Sequence, residues 1–215
     1  MLRNIISNEI FTILIIIGLV IVAIAKLTAP KRFDDFIIVL GNTRYLKIYS
    51  KDQKFFDRFD GLLFSNLILS LTVFCFIIYR HITESNQTTM NTMFKLAFGI
   101  GVFILIKVLF ERLIGSLFEI DKIIDQYLFQ KTSYKNFLGI LLLPINALLL
   151  FSFQPTLPII YGMIILLIIV NIIGLNSSFK THQSLIKNNL FYFILYLCAL
   201  EIAPYIILYK VFVTK

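Results

Sequence analysis

The sequence predicts an all-α fold, a polytopic membrane protein built as a bundle of about six transmembrane helices with an interfacial segment after the first. Of its 215 residues, 59% are hydrophobic and only 15% are charged. A soluble domain carries about 25% charged residues, so this composition favours a membrane protein. The apolar residues also fall into runs of about 20, the length at which a helix crosses the ~30 Å hydrocarbon core. A single transmembrane domain, residues 1–215, is expected.

Six apolar runs are predicted to cross the membrane, and the loops between them contain most of the charged residues. In chain order the spans are residues 9–25, 62–79, 93–118, 137–153, 157–175 and 189–210. Residues 31–60, after the first span, interleave charged and aromatic residues in stretches too short to cross. Such stretches indicate helices or turns in the membrane interface, with Lys and Arg directed toward headgroups. Residues 119–136 are mixed in charge and are predicted to form a loop, and the turn at residues 154–158 makes the fourth and fifth spans antiparallel neighbours.

Lys and Arg are distributed unequally between the two sides of the predicted bundle. Residues 26–58, 122–135 and 180–187 contain thirteen of them and lie in the first, third and fifth loops. The opposite side holds only Arg3, Arg80, Lys95, Lys210 and Lys215. Because basic residues near spans are retained in the cytoplasm, we predict cytoplasmic basic loops and both termini outside. We therefore interpret the excess of basic residues, a net charge of +8, as setting the orientation in the membrane and contacting lipid headgroups.

Several functional classes lack their sequence signatures. A long basic face or recognition motif for nucleic acid is absent, so no nucleic-acid partner is predicted. The two histidines, His81 and His182, fall on opposite sides of the predicted membrane, and no two-histidine metal site is expected. Phosphate-binding loops and the common nucleophile motifs are also missing. We therefore predict no catalytic residue, metal or cofactor, and the balance is against an enzyme.

Four charged residues lie more than one turn from the ends of predicted spans: Lys107, Glu111 and Arg112 in the third, and Glu201 in the sixth. A charge at the centre of a spanning helix costs roughly 2.5–3.5 kcal/mol on insertion scales, so it requires a buried partner or a task. Glu201 lies about 18 Å from the cytoplasmic start of its span, and Lys107 about 17 Å from the cytoplasmic end of its own. We predict that Glu201 pairs with Lys107, with Glu111 one turn away as a second carboxylate.

Other arrangements of these charges stay open. Lys107 could pair with Glu111 at i,i+4 while Arg112 extends to the inner interface. An ion-pair lock that fixes helix register is the plainest role for such a group. The other roles are a proton or ion relay, a polar substrate pocket, or pairing with the charge of a partner subunit.

Prolines and amides mark further positions at membrane depth. Pro144 and Pro204 are predicted to kink their helices, because proline removes a backbone donor from the helix interior. Asn146 and Asn171 are predicted to form hydrogen bonds between helices.

Two pairs of aspartates lie on the predicted cytoplasmic side, Asp57 with Asp60 and Asp121 with Asp125. Paired aspartates can hold Mg²⁺ against a diphosphate in membrane enzymes that use lipid-linked substrates. Solvated loop charges are the simpler interpretation of this spacing. The metal-binding interpretation requires the two pairs to converge.

The closing stretch Phe191-Tyr-Phe-Ile-Leu-Tyr-Leu-Cys-Ala-Leu-Glu-Ile-Ala-Pro204, with four shorter pieces, resembles a family of Bacteroidota inner-membrane proteins, the domain of unknown function 4271. The shorter pieces are Pro30-Lys-Arg-Phe33, Tyr127-Leu-Phe, Tyr134-Lys-Asn and Leu143-Pro-Ile-Asn146. The resemblance covers nearly the whole chain. It implies a polytopic envelope protein of Gram-negative Bacteroidota, in whose inner membrane the predicted orientation places both termini in the periplasm, and it implies no activity.

Three functional hypotheses follow. The first is a non-enzymatic inner-membrane scaffold, assembly factor or subunit of a cell-envelope complex, with the lipid bilayer and another protein as partners. The second is a small transporter or ion-coupled protein that uses Glu201, Lys107 and Glu111. The third is an enzyme for lipid-linked substrates that uses the four cytoplasmic aspartates.

Overall fold

The computed structural model describes residues 9–42, 44–50, 57–83, 90–117, 121–152 and 156–181, and within these ranges the chain is helical and contains no strand. The helices are α1 (Glu9–Thr28), α2 (Pro30–Ile37), α3 (Arg44–Tyr49), α4 (Arg58–Thr83), α5 (Met90–Leu117), α6 (Asp121–Phe151) and α7 (Leu157–Thr181). Five of them, α1 and α4 to α7, are long and apolar enough to cross a membrane. The all-α membrane class is confirmed. The sixth predicted span, with Glu201 and Pro204, lies outside the described residues.

The ends of the first helices follow from ordinary helix chemistry. α1 has Glu9 in its first turn and Lys26 in its last, where their charges oppose the helix dipole. Pro30 occupies the first turn of α2. Backbone N–H groups in a first turn have no intrahelical acceptor, so the N–H that proline lacks costs no hydrogen bond there. A break at Ala29 therefore separates the first span from the interfacial segment.

α4 lies at the centre of the described bundle and packs against α1, α5 and α6. α6 is its main partner and also contacts α7. Two apolar clusters hold these helices together at opposite ends, one around Phe36, Tyr45 and Leu63, and the other around Phe11 and Phe76. The outer faces of α1, α5 and α7 expose many large apolar side chains, as expected of helices that face lipid tails.

The structure corrects the fourth predicted span. Residues 121–136, predicted to be loop, form the first half of α6, which runs without interruption for 31 residues. Ile124, Leu128 and Tyr134 share one side of this half and are buried. Hydropathy detects only the apolar part of a helix, whereas this half is held by protein contacts on a face with helical spacing.

The interfacial segment forms two short helices, α2 and α3, which we call the cap (residues 30–49). The two helices bury Phe33, Phe36, Tyr45 and Leu46 against protein. Phe36 packs edge-on against Tyr45, with 5.3 Å between ring centroids, and Tyr45 stacks on Phe129 of α6 at 5.7 Å. Phe59 of α4 closes the cluster on the other side of Phe36. The predicted short helices are therefore present, but aromatic packing against α4 and α6 fixes the cap in place.

The backbones of α4 and α6 come close together at Gly139. A Cβ added there would stand 2.7 Å from the backbone Cα of Leu67, so only glycine fits. Gly101 likewise approaches Ile68, as expected of a glycine in the third span. By contrast, a Cβ added at Gly99 or Gly162 meets no atom of the described residues within 4 Å, so neither glycine forms a close contact in that part of the chain.

This difference gives a matched test of packing. Gly139→Ala should lower the stability of the protein by about 1–3 kcal/mol, because the added methyl group forces α4 away from α6. Gly162→Ala adds the same methyl group in open space and should be neutral, or stabilising by up to about 1 kcal/mol through helix propensity. Thermal unfolding of both variants in detergent measures the difference. Equal melting temperatures would contradict the contact.

Candidate functional site

The charged residues of the third predicted span lie on two sides of α5. Lys107 and Glu111 are one turn apart, and both are buried. Arg112, the next residue, lies on an adjacent face and is partly exposed. Since a helix turns by about 100° per residue, neighbours in sequence meet different surroundings.

Glu111 forms its ion pair with α6. Its Oε1 accepts a hydrogen bond from Nζ of Lys131 at 2.5 Å, and the two side chains are only 0% and 9% exposed. The Lys131 ammonium also lies 5.6 Å from the ring centre of Tyr127, one turn earlier in α6. A buried pair of this kind ties the C-terminal part of α5 to the first half of α6.

Sequence reasoning missed Lys131 because it lies in the stretch predicted to be loop. The helical spacing of Tyr127, Lys131 and Tyr134 was the available signal. The predicted partner of Lys107, Glu201, lies outside the described residues, so their pairing stays a prediction.

Arg112 and Asp125 form a second, looser link between the same two helices. Nε of Arg112 lies 3.5 Å from Oδ1 of Asp125, and the side chains are 40% and 47% exposed. Solvated pairs of this geometry contribute about 0–1 kcal/mol, so this link is easily exchanged for other partners.

A third group of charges fastens the cap to α4. Arg32 of α2 donates hydrogen bonds to Asp57 and, at 2.8 Å, to Oδ2 of Asp60. Its guanidinium lies 4.7 Å from the ring centre of Phe59 and 5.2 Å from that of Tyr49. The prediction that Arg32 points toward headgroups is wrong, because the two carboxylates and the aromatic rings turn it inward.

The electrostatics of this group make it a permanent fastening. Burial by itself lowers the pKa of Arg32, but its interactions with Tyr45, Asp60 and Asp57 outweigh burial, and the pKa ends above its ordinary value. Burial, reinforced by the charge of Asp60, raises the pKa of Tyr45 above its ordinary value. Arg32 therefore stays charged and Tyr45 stays neutral at physiological pH. Titration near neutrality does not release the cap.

The four aspartates of the third hypothesis do not come together as one cluster of two pairs. Asp57 and Asp60 are held by Arg32, Asp125 lies beside Arg112, and Asp121 is exposed in the first turn of α6. Among the described residues, no three His, Cys, Asp or Glu side chains come close enough to hold a metal ion. The geometry that a two-pair metal site requires is not met in that part of the chain.

Asp60 and Asp125 do share a pocket between α4, α5 and α6. We call it the basic-end pocket; its cavity measures about 110 Å³ and is open on one side. Arg112, Thr132 and Ser133 complete its polar lining. This volume holds several water molecules or one small polar group.

Amides and hydroxyls line the middle of the α4–α6 contact. Nδ2 of Asn146 donates a hydrogen bond to the backbone carbonyl of Ser70 at 2.9 Å, as predicted for an amide at membrane depth. Asn66 and Asn136 are also buried there. Pro144 lies inside α6 with its ring exposed, and Asn171 lies on an exposed face of α7. The predicted kink at Pro144 and the predicted bond of Asn171 stay predictions.

Removing one member of the buried ion pair should be costly. Lys131→Met leaves the Glu111 charge buried without its partner and should destabilise the protein by about 3–5 kcal/mol. Adding Glu111→Gln to that variant should restore much of the loss, because the uncompensated charge is gone. Arg112→Gln, which breaks the exposed pair, should cost no more than about 1 kcal/mol. Unfolding in detergent measures all three, and a Lys131→Met protein as stable as Arg112→Gln would refute the ranking.

A family model described as Domain of unknown function (DUF4271) matches residues 11–212, nearly the whole chain. This confirms the resemblance found in the sequence, while the Bacteroidota origin stays a prediction. No match is found among curated proteins or among solved structures.

Proposed function

The chain belongs to the DUF4271 family, whose description assigns no activity. We therefore propose a function from the geometry of the basic end of the bundle, which comprises the cap and the adjoining ends of α4, α5 and α6. The protein is an integral membrane protein, and we propose that it serves as a non-enzymatic scaffold, assembly factor or subunit of a cell-envelope complex. We also propose the inner membrane as its location, with the basic end in the cytoplasm.

The use of the charged groups supports a structural role. Arg32 joins the cap to α4, Lys131 joins α6 to α5, and Arg112 links the same two helices again. Three of the four aspartates considered for catalysis, Asp57, Asp60 and Asp125, take part in these links. Charges used in this way fix helix positions.

The observation that carries the proposal is a rigid cap with cations on its outer side. Lys26, Lys31, Arg44, Lys47 and Arg58 are all exposed around it, while the aromatic residues of its core are buried beneath. Arg32, Tyr45 and Phe36 hold its position, so the cations are presented without an ordering cost at binding. A fixed cationic surface beside the membrane favours a partner protein with an acidic surface.

Site-specific photocrosslinking tests this partner. A photoreactive residue at Lys47 should yield one discrete protein adduct in intact cells, and Lys31→Glu with Arg44→Glu should abolish it through charge repulsion. The same residue at Lys95, exposed in the first turns of α5, is the matched control and should yield no such adduct. Lipid adducts alone at Lys47, or recovery of a solitary monomer by gentle purification, would contradict the proposal.

One observation favours a second candidate, an ion-coupled protein. Oε2 of Glu111 is buried and has no hydrogen-bond partner among the described residues, and Lys107 is buried one turn away. Ionisable groups at such depth are often parts of proton or ion pathways.

Proton flux in proteoliposomes with an internal pH dye tests this candidate. Glu111→Gln should abolish flux, because an amide takes up no proton, whereas Asp125→Asn should retain it. Absence of flux above that of empty liposomes for the unsubstituted protein would dismiss the candidate.

A further inference from the structure

The basic-end pocket combines charges of both signs with an apolar wall. Its lining holds the carboxylates of Asp60 and Asp125 and the guanidinium of Arg112, which leaves one negative charge in excess. Counting the ion-paired neighbours Arg32 and Asp57 gives three negative and two positive groups, so the excess is unchanged. An ammonium group on a ligand is attracted by this excess of negative charge.

Arg112 determines what else the ligand carries. A bare cation is repelled by the guanidinium, whereas a phosphate accepts paired hydrogen bonds from it. The link from Arg112 to Asp125 is long and half exposed, so both groups can exchange it for a ligand at little cost. The two side chains together match an ammonium and a phosphate on one molecule.

Ser133 adds a buried hydroxyl to the pocket. It lines the cavity and is only 2% exposed, and it interacts with Tyr45 on the side of the cap. Because a hydroxyl both donates and accepts, Ser133 can form a further hydrogen bond with a polar group in the pocket.

The rest of the wall is apolar and continues along the helices. Leu105, Val108 and Leu128 line it, together with the rings of Phe64 and Phe129. From Arg112 to Leu105 the wall extends about 10 Å along α5, from the charged end toward the predicted membrane interior. A polar head at one end and hydrocarbon at the other is the pattern of a lipid.

We propose that the basic-end pocket binds a zwitterionic phosphoethanolamine group, with its ammonium at Asp60 and Asp125 and its phosphate at Arg112. The apolar wall favours a phospholipid as the source over the free soluble compound. This inference is independent of the scaffold role and of any protein partner.

Native mass spectrometry of the delipidated full-length protein tests the site. Phosphatidylethanolamine should be retained about tenfold better than phosphatidylglycerol with the same acyl chains, because the latter lacks the ammonium. Arg112→Gln with Asp125→Asn should remove this preference. The control Asp34→Asn with Arg44→Gln removes one negative and one positive charge at exposed positions of the cap, outside the pocket. This control should leave the preference for phosphatidylethanolamine intact.

The remaining outcomes each decide the matter. Equal retention of the two lipids, or an unchanged preference in the pocket variant, would overturn the site. Displacement of the lipid by an equal concentration of soluble phosphoethanolamine would overturn the lipid source and leave the headgroup chemistry. If the pocket variant fails to fold, photolabelling of the unsubstituted protein with a photoreactive phosphatidylethanolamine takes the place of the variant experiment. Adducts between residues 105 and 133 support the site, and adducts confined to other regions refute it.

Discussion

A charge buried inside a helix bundle must be matched by an opposite charge on a neighbouring element, and this constraint fixes the basic end of the molecule. Glu111 on α5 meets Lys131 on α6, and Arg32 on α2 meets the carboxylates at the start of α4. Each pair joins two different elements, so satisfying the charge also sets the distance between them. Removing a partner is then far more damaging than the net contribution of the pair suggests.

A second constraint operates deeper in the bundle, where α4 and α6 touch. Gly139 allows the backbones to approach, and Asn146 donates a hydrogen bond to a backbone carbonyl of α4. Apolar side chains pack equally well against lipid tails and against each other, so hydrophobic burial alone does not hold spanning helices together. Close backbone contact and an interhelical hydrogen bond supply the specificity that apolar surfaces lack.

Much of the architecture was predictable because bilayer thickness imposes a length on apolar runs. Five of the predicted spans correspond to α1, α4, α5, α6 and α7, and the short helices of the cap were expected from its alternating charged and aromatic residues. The first half of α6 was not recognised. It is helical because Leu128 and Tyr134 pack on protein, and a hydropathy criterion that assumes lipid as the only apolar partner does not detect such a segment.

For the same reason Lys131, one partner of the buried ion pair, was not recognised from the sequence. Lys107, Glu111 and Arg112 were conspicuous because apolar residues surround them, whereas Lys131 lay among other polar residues and resembled loop charge. Its role depends on a long-range contact that no local pattern specifies. Arg32 shows the converse case, because its neighbours in sequence indicated a headgroup contact and its neighbours in space are two carboxylates and two rings.

These contacts connect in series from the cap to the centre of the bundle. Arg32 fastens the cap to α4, Gly139 presses α6 against α4, and Lys131 on the same helix fastens α5. Displacing the cap therefore requires breaking the two ion pairs of Arg32 or moving α4 away from its close contact with α6 at Gly139. A cap held in this way suits a surface that keeps a partner at a fixed position. A transporter that works by alternating access instead requires elements that move past one another. The series of contacts thus favours the scaffold role over transport, and the moving element of a transporter would have to be sought away from the α4–α6 pair.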